Sequence, residues 1–513
     1  MSHLPILPIL VPFIAAILML VVSSASMTMQ RAISVASCIL LAALAALALN
    51  STADGTIAVY RLGSWPAPYG IVLVLDRLAA TMLALTAALA MPVVMHAMSG
   101  SDLESRTFHP LFQLQIVGLN GAFLTGDLFN LFVFFEILLL ASYVLLAHAG
   151  GAERARAGLA YVVLNLLGSA AFLIALALIY GTLGTLNLAD MALRLRDVAP
   201  ADQGLVRAAF ALLIAVFLLK AAVLPMSLWL PGVYAAASAP VAALFAIMTK
   251  VGLYALLRVS NTALTASPVT AELMEPWLIW FAIATILLGS IAALGSGRFL
   301  VVTAALVIVS TGTLMSAVAI GSETAIAALL YYLPHTTLVT AGLFLLGHAI
   351  ASQRGTCGDR IRKGPPLSSS LFLGVAFLVL VVAASGAPPL SGFIGKIMIL
   401  QALWGHDGGM SAWSALLISG LVVALILARA ASAFFWEPKS KDADDSPQAS
   451  APPPNRLAQA ALLLLVLASP VLTLAASPIS AHARATAEQL RTPERYVEAV
   501  LGKEPQIDRE RRP

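Results

Sequence analysis

Runs of about twenty apolar residues, separated by short polar connections, recur along the whole chain. A spanning helix needs about 20 such residues, and its backbone N–H and C=O groups must be satisfied without water. The pattern predicts about fourteen spans. They lie near 4–22, 32–50, 71–98, 108–126, 129–148, 157–180, 205–222, 237–259, 274–294, 299–320, 324–351, 369–401, 409–436 and 456–476. Two connections are longer and polar, 181–207 and 437–456. The second contains Lys439, Lys441 and Pro452 and is expected to be a flexible loop, because such a composition cannot build a core.

Two predicted spans are interrupted. Lys220 shortly precedes Pro225, and Gly386, Pro388, Pro389 and Gly392 precede Lys396. Proline inside a helix removes a backbone hydrogen bond and clashes with the preceding turn. In a bilayer the freed groups must be met by protein or by water in a cavity. Paired interruptions in two halves of a chain point to a transporter's working site; harmless proline kinks are the plainer explanation.

Composition agrees with a membrane chain. Of 513 residues, 60% are hydrophobic and 11% charged, against about 25% charged in a soluble protein. The net charge of +4 is no nucleic-acid signal, since the basic residues flank apolar runs without interleaved aromatics. With the N-terminus outside, twelve arginines and lysines fall on inner connections and five on outer ones, which is the expected bias. The first ten residues carry no lysine or arginine and read as the start of a span rather than a removable signal. Cys38 and Cys357 have no metal-ligand spacing and are expected to be free thiols. No dinucleotide, phosphate-loop, zinc-protease or haem signature is present, so no cofactor is expected.

Four ionisable residues lie within apolar runs: Glu136, Lys220, Lys250 and Lys396. Each would cost about 2.5–3.5 kcal/mol at a helix centre, so the set calls for paired partners or a water-filled interior. Snorkelling of long side chains to the interface suits Arg258 and Arg429, near span ends, better than Glu136 or Lys250. In a medium of low dielectric a lysine's charged form is disfavoured, and a nearby carboxylate favours it again. A Glu136–Lys220 pair that opens and closes would therefore move a proton without any bound group. Lys250, Tyr254 and Arg258 share one helical stripe, either a hydrated path or a packed face. His335, beside Pro334, Thr336 and Thr337, is a candidate relay. Asp76 and Asp127, at span edges, suit pairing or capping.

The segments around Lys220 and Lys250, with Gly126 to Leu138, Tyr331 to His335 and Pro388 to Lys396, resemble a known family. It is the antiporter-like subunit family shared by respiratory complex I and the Mrp-type cation/proton antiporters. The form of the second break and the Pro493–Leu501 ending are most similar to the D subunits of the Mrp type. The resemblance implies an all-α polytopic membrane protein of about fourteen helices. Three N-terminal helices (1–107) would precede two inverted five-helix repeats (108–259 and 274–436), each with a broken helix. The loop 437–456 and a last helix with a polar tail (457–513) would follow. It implies that Glu136, Lys220, Lys250 and Lys396 are the transport carboxylate and lysines, with His335 on the same proton path. Thr340 stands where many relatives carry another lysine, and 299–320 lacks an acid equivalent to Glu136, so the two halves differ in chemistry.

The expected function is a proton-translocating, non-enzymatic subunit of a multisubunit Na+ or K+/proton antiporter in a bacterial cytoplasmic membrane. Its expected partners are the other subunits. A proton-pumping subunit of an NADH–quinone or hydrogenase-type complex is the alternative, and a membrane scaffold the third possibility.

Overall fold

The computed structural model describes residues 3–21, 26–148, 150–274, 277–436 and 455–502. The chain opens with α1 (Leu7–Val21) and α2 (Met27–Ser51), then a short antiparallel hairpin of β1 (Ala58–Arg61) and β2 (Val72–Leu75), then α3 (Arg77–Ala97). The first half of the bundle holds α4 (Phe108–Leu124), α5 (Leu128–Ala147), α6 (Ala152–Leu183), the short α7 (Leu188–Arg194) and α8 (Gln203–Ala221). After the break come α9 (Leu230–Ala236), α10 (Ala239–Phe245), α11 (Met248–Thr262) and the one-turn α12 (Pro268–Ala271). The second half holds α13 (Trp277–Gly295), α14 (Phe299–Ile320), α15 (Glu323–Gln353), α16 (Ser370–Ser385), α17 (Ser391–Leu403) and α18 (Gly409–Ala431). The chain ends in α19 (Arg456–Leu474), α20 (Ala476–Leu490) and α21 (Pro493–Leu501).

Among the described residues eleven helical stretches are long and apolar enough to cross a membrane, and α1, α16 and α17 are shorter apolar helices. Each predicted span contains a helix, with three differences. The start of 71–98 is strand β2, and helix begins only at Arg77, where Asp76 Oδ1 accepts the Ala79 N–H as an N-cap. The spans 237–259 and 369–401 are each divided into two helices. The tail, expected to be only polar, forms α20 and α21, which bury Thr486, Leu490, Tyr496 and Val500. The expected flexible loop 437–456 lies, but for its last two residues, outside the described residues.

Both breaks follow a helix ending in a left-handed residue, Ala222 after α8 and Gly386 after α16. The stretch from α10 to residue 266, with α14 and α15, forms the interior. α2, α6 and α19 keep large apolar faces outward, as lipid-facing helices do. Hydroxyl-bearing residues crowd the inner helices. On α14, Ser310, Thr313 and Ser316 bond back to their own helix carbonyls, which lets small polar residues sit among packed helices.

α2 and α4 are joined through the turn between α3 and α4. Asp102 there is buried and accepts from Arg31 at 2.6 and 2.8 Å and from His109 Nε2 at 3.1 Å. Burial alone would raise its carboxyl pKa, but the His109 and Arg31 hydrogen bonds and the guanidinium charge outweigh it and hold it down at about 2. A carboxyl depressed below its unfolded value of about 3.9 stabilises the fold above that pH and loses its contribution as pH falls through the folded value. The detergent-solubilised chain is expected to lose thermal stability between about pH 4 and pH 2. Asp102→Asn should flatten that part of the profile; an unchanged profile would show that Asp102 contributes nothing.

Candidate functional site

Helix α6 gathers the first two candidate residues. The Ser169 hydroxyl donates to Glu136 Oε1. One turn earlier, Asn165 accepts from Lys220 Nζ through its Oδ1 at 3.3 Å and its main-chain oxygen at 3.4 Å. Residues four apart share a helix face, so Glu136 of α5 and Lys220 of α8 dock on one stripe of α6. Among the described residues no ion pair joins them; the expected direct pair is bridged. Glu136 is also only half-buried. It sits beside the outward stripe Phe129, Val133 and Leu140, a face that the apolar run did not distinguish.

Lys220 occupies the last turn of α8, where unpaired carbonyls and the helix dipole favour a cation. Across from it, a Cβ on Gly252 would lie 2.5 Å from the Ala221 nitrogen and 2.9 Å from the Lys220 carbonyl carbon. Only glycine allows this approach of α11 to the end of α8, and it carries Lys250, two residues earlier, up to the same junction.

Lys250 is fully buried and donates to Ser310 Oγ at 3.3 Å. Ser310 borders a small cavity shared with Tyr332, His335, Thr336, Thr340 and Lys396. Its lining mixes these polar groups with Leu306, Val309 and Val339, and it has room for about one water. It occupies the gap between Lys250 and Lys396, where Thr340 stands and bonds back to Thr336 O at 2.6 Å. At its far end Lys396, half-buried, donates to Ser385 O at 2.8 Å. Ser385 is the last residue of α16, so this lysine too meets the carbonyl end of a helix. His335 is buried, with Nδ1 2.8 Å from Ser391 Oγ.

The stripe beyond Lys250 is packed. Tyr254 donates to Phe123 O at 2.6 Å, and Arg258 reaches the Tyr254 hydroxyl at 3.2 Å. Arg258 is 4% exposed and makes a two-pronged pair with Asp76 at 2.5 and 2.8 Å, under the ring of Tyr496. It does not snorkel, because the hairpin and α21 close over that end. Arg429 is exposed. Asp127, as expected of an edge residue, caps α5 through the Asn130 N–H.

Sequence reasoning missed Asn165, Ser169, Ser310 and Ser391. Asn165 and Ser169, four apart in an otherwise apolar span, carried a readable signal; Ser310 is one hydroxyl among many on α14. Among the described residues no cluster of three or more metal-ligating side chains occurs, and Cys38 and Cys357 are free.

Residues 125–426 match the family described as NADH:quinone oxidoreductase/Mrp antiporter, transmembrane. The chain is 37% identical to the D subunit of a probable K(+)/H(+) antiporter of Rhizobium meliloti (strain 1021), over 98% of each. It is 33% identical to the D subunit of the Na(+)/H(+) antiporter of Bacillus subtilis (strain 168), over 98% of this chain and 100% of that one. Among solved structures it is similar to a chain of the Mrp complex from Dietzia sp. DQ12-45-1b (TM-score 0.86, 27% identity, 98% and 99% covered). It is also similar to a chain of the membrane-bound sulfane sulfur reductase, an archaeal respiratory membrane complex (TM-score 0.88, 25% identity, 97% and 99% covered).

Proposed function

This chain belongs to the NADH:quinone oxidoreductase/Mrp antiporter family of membrane subunits, and from that premise we propose that it moves protons for a multisubunit cation/proton antiporter. Protons pass along Glu136, Lys220, Lys250, His335 and Lys396 in exchange for Na+ or K+, across a bacterial cytoplasmic membrane. The observation that carries this reading is the run from Lys250 through Ser310 and the water-sized cavity to His335 and Lys396. Each lysine can give up a proton as ammonium and take one as amine, and hydroxyls and water both donate and accept. Water in the cavity supplies the links that the side chains leave open.

Glu136 and Lys220, held one turn apart on α6, form the switchable element. Bringing them together favours the charged lysine, and separating them favours its release of a proton. The half-buried carboxylate on an outward apolar stripe also supports a neighbouring subunit over this face, since lipid solvates a carboxylate poorly.

The route is tested by drying the cavity. In the assembled complex, Ser310→Ala combined with Thr340→Val is expected to reduce cation-driven proton exchange in membrane vesicles severalfold, with the subunits still co-purifying. Undiminished exchange would exclude the cavity from the path. The likeness to the respiratory complex chain favours a second reading, a proton-pumping subunit of a redox complex. Co-purification with iron–sulfur subunits would select it, and co-purification with small membrane subunits alone would select the antiporter.

A further inference from the structure

Two serines extend the hydrogen bonding of His335 away from the cavity residues. Its Nδ1 is 2.8 Å from Ser391 Oγ, which is 2.7 Å from Ser469 Oγ. All three side chains are buried. They come from α15, from the first residue of α17 after its break, and from α19, which lies outside both five-helix segments. A Cβ on Gly392 would fall 2.9 Å from both Cε1 and Nε2 of His335. Glycine there lets the ring lie against the first turn of α17 while it borders the cavity shared with Lys396.

A neutral imidazole carries its proton on one nitrogen, and the bond made by one nitrogen fixes the role of the other. Hydroxyls donate or accept, so the serine pair runs in either direction without any heavy atom moving. When Ser469 donates to Ser391 and Ser391 donates to Nδ1, Nε2 bears the proton. When Nδ1 donates to Ser391 and Ser391 donates to Ser469, Nε2 becomes an acceptor. We propose that Ser391 and Ser469 are positioning residues that hold the ring of His335 and set which nitrogen carries its proton, making α19 part of the proton-transfer apparatus. This rests on His335 serving the proton path.

The titratable groups around the ring are Lys396 on α17 and Tyr332 on α15 itself, with Lys250 behind Ser310 of α14. From α16 and α18 the cavity receives only Ala384 and Val423.

The test is the pH dependence of exchange per assembled complex. Ser469→Ala, which removes a group that does not touch His335, should move the profile by about half a pH unit or more, and Ser391→Ala should move it the same way. Ser469→Thr, keeping the hydroxyl, should retain the unaltered profile. If the alanine variants do not assemble, Ser469→Cys, a weaker donor, should show the displacement. An unmoved profile in Ser469→Ala or Ser469→Cys, or an equal displacement in Ser469→Thr, would overturn the inference. Lys396→Ala separates the two levels. Exchange lost there with unmoved serine profiles refutes only the serine pair, whereas exchange retained there refutes the path itself.

Discussion

Alanine at Lys220 or at Lys396 is expected to reduce cation-driven proton exchange by about a hundredfold or more, the scale on which loss of a positioned acid–base group is felt. Lys220 is the cation at the end of α8 held by Asn165, and Lys396 is the cation at the end of α16 held by Ser385 O. Removing either leaves a gap in the series that water alone must cross, with no group to store the proton between steps. Lys220→Ala also leaves Glu136 without the charge that its separation on α6 modulates. The measurement is dye-reported proton movement in vesicles on addition of Na+ or K+, normalised to assembled complex. Exchange near the unaltered rate in either variant would refute the proposed path.

Arg258→Ala is expected to cost about 3–5 kcal/mol of stability, because removing one partner of a buried pair leaves the other charge uncompensated. The pair is buried on both sides, 4% and 3% side-chain exposure. Asp76 has a second bond, to the Ala79 N–H, and that does not neutralise it. The loss should appear as a lower melting temperature of the purified chain in detergent. The double variant Asp76→Ala with Arg258→Ala should melt above Arg258→Ala alone, since no orphaned charge remains. Equal melting of the single variant and the unaltered chain would show that water reaches the pair.

Much of the candidate site was legible because charge in an apolar run is conspicuous. Glu136, Lys220, Lys250 and Lys396 stand out against their neighbours, and His335 is marked by the proline and threonines around it. The breaks were legible from proline and glycine, and the helices follow the apolar runs closely. Less legible was what each charge meets. Glu136 lies in an uninterrupted apolar span, so nothing local shows that one side of α5 faces outward. Arg258 sits near a span end, which suggested an interfacial side chain. Only the folded hairpin and α21 reveal that this end is covered. The tail reads as polar because α21 has apolar positions on one face only, too few to register as a run.

The sequence by itself determined that this is a membrane chain, where its helices run, where two of them break and which ionisable residues stand inside apolar runs. Those are properties of single segments, set by length, burial cost and backbone geometry. The tertiary structure decided the partners: Asn165 and Ser169 between Lys220 and Glu136, Ser310 at Lys250, Asp76 at Arg258, and the small cavity that Ser310 shares with His335 and Lys396. These meetings join residues 33 to 182 positions apart. Helix periodicity tells which face a residue occupies, but which two faces meet depends on how all the helices pack together.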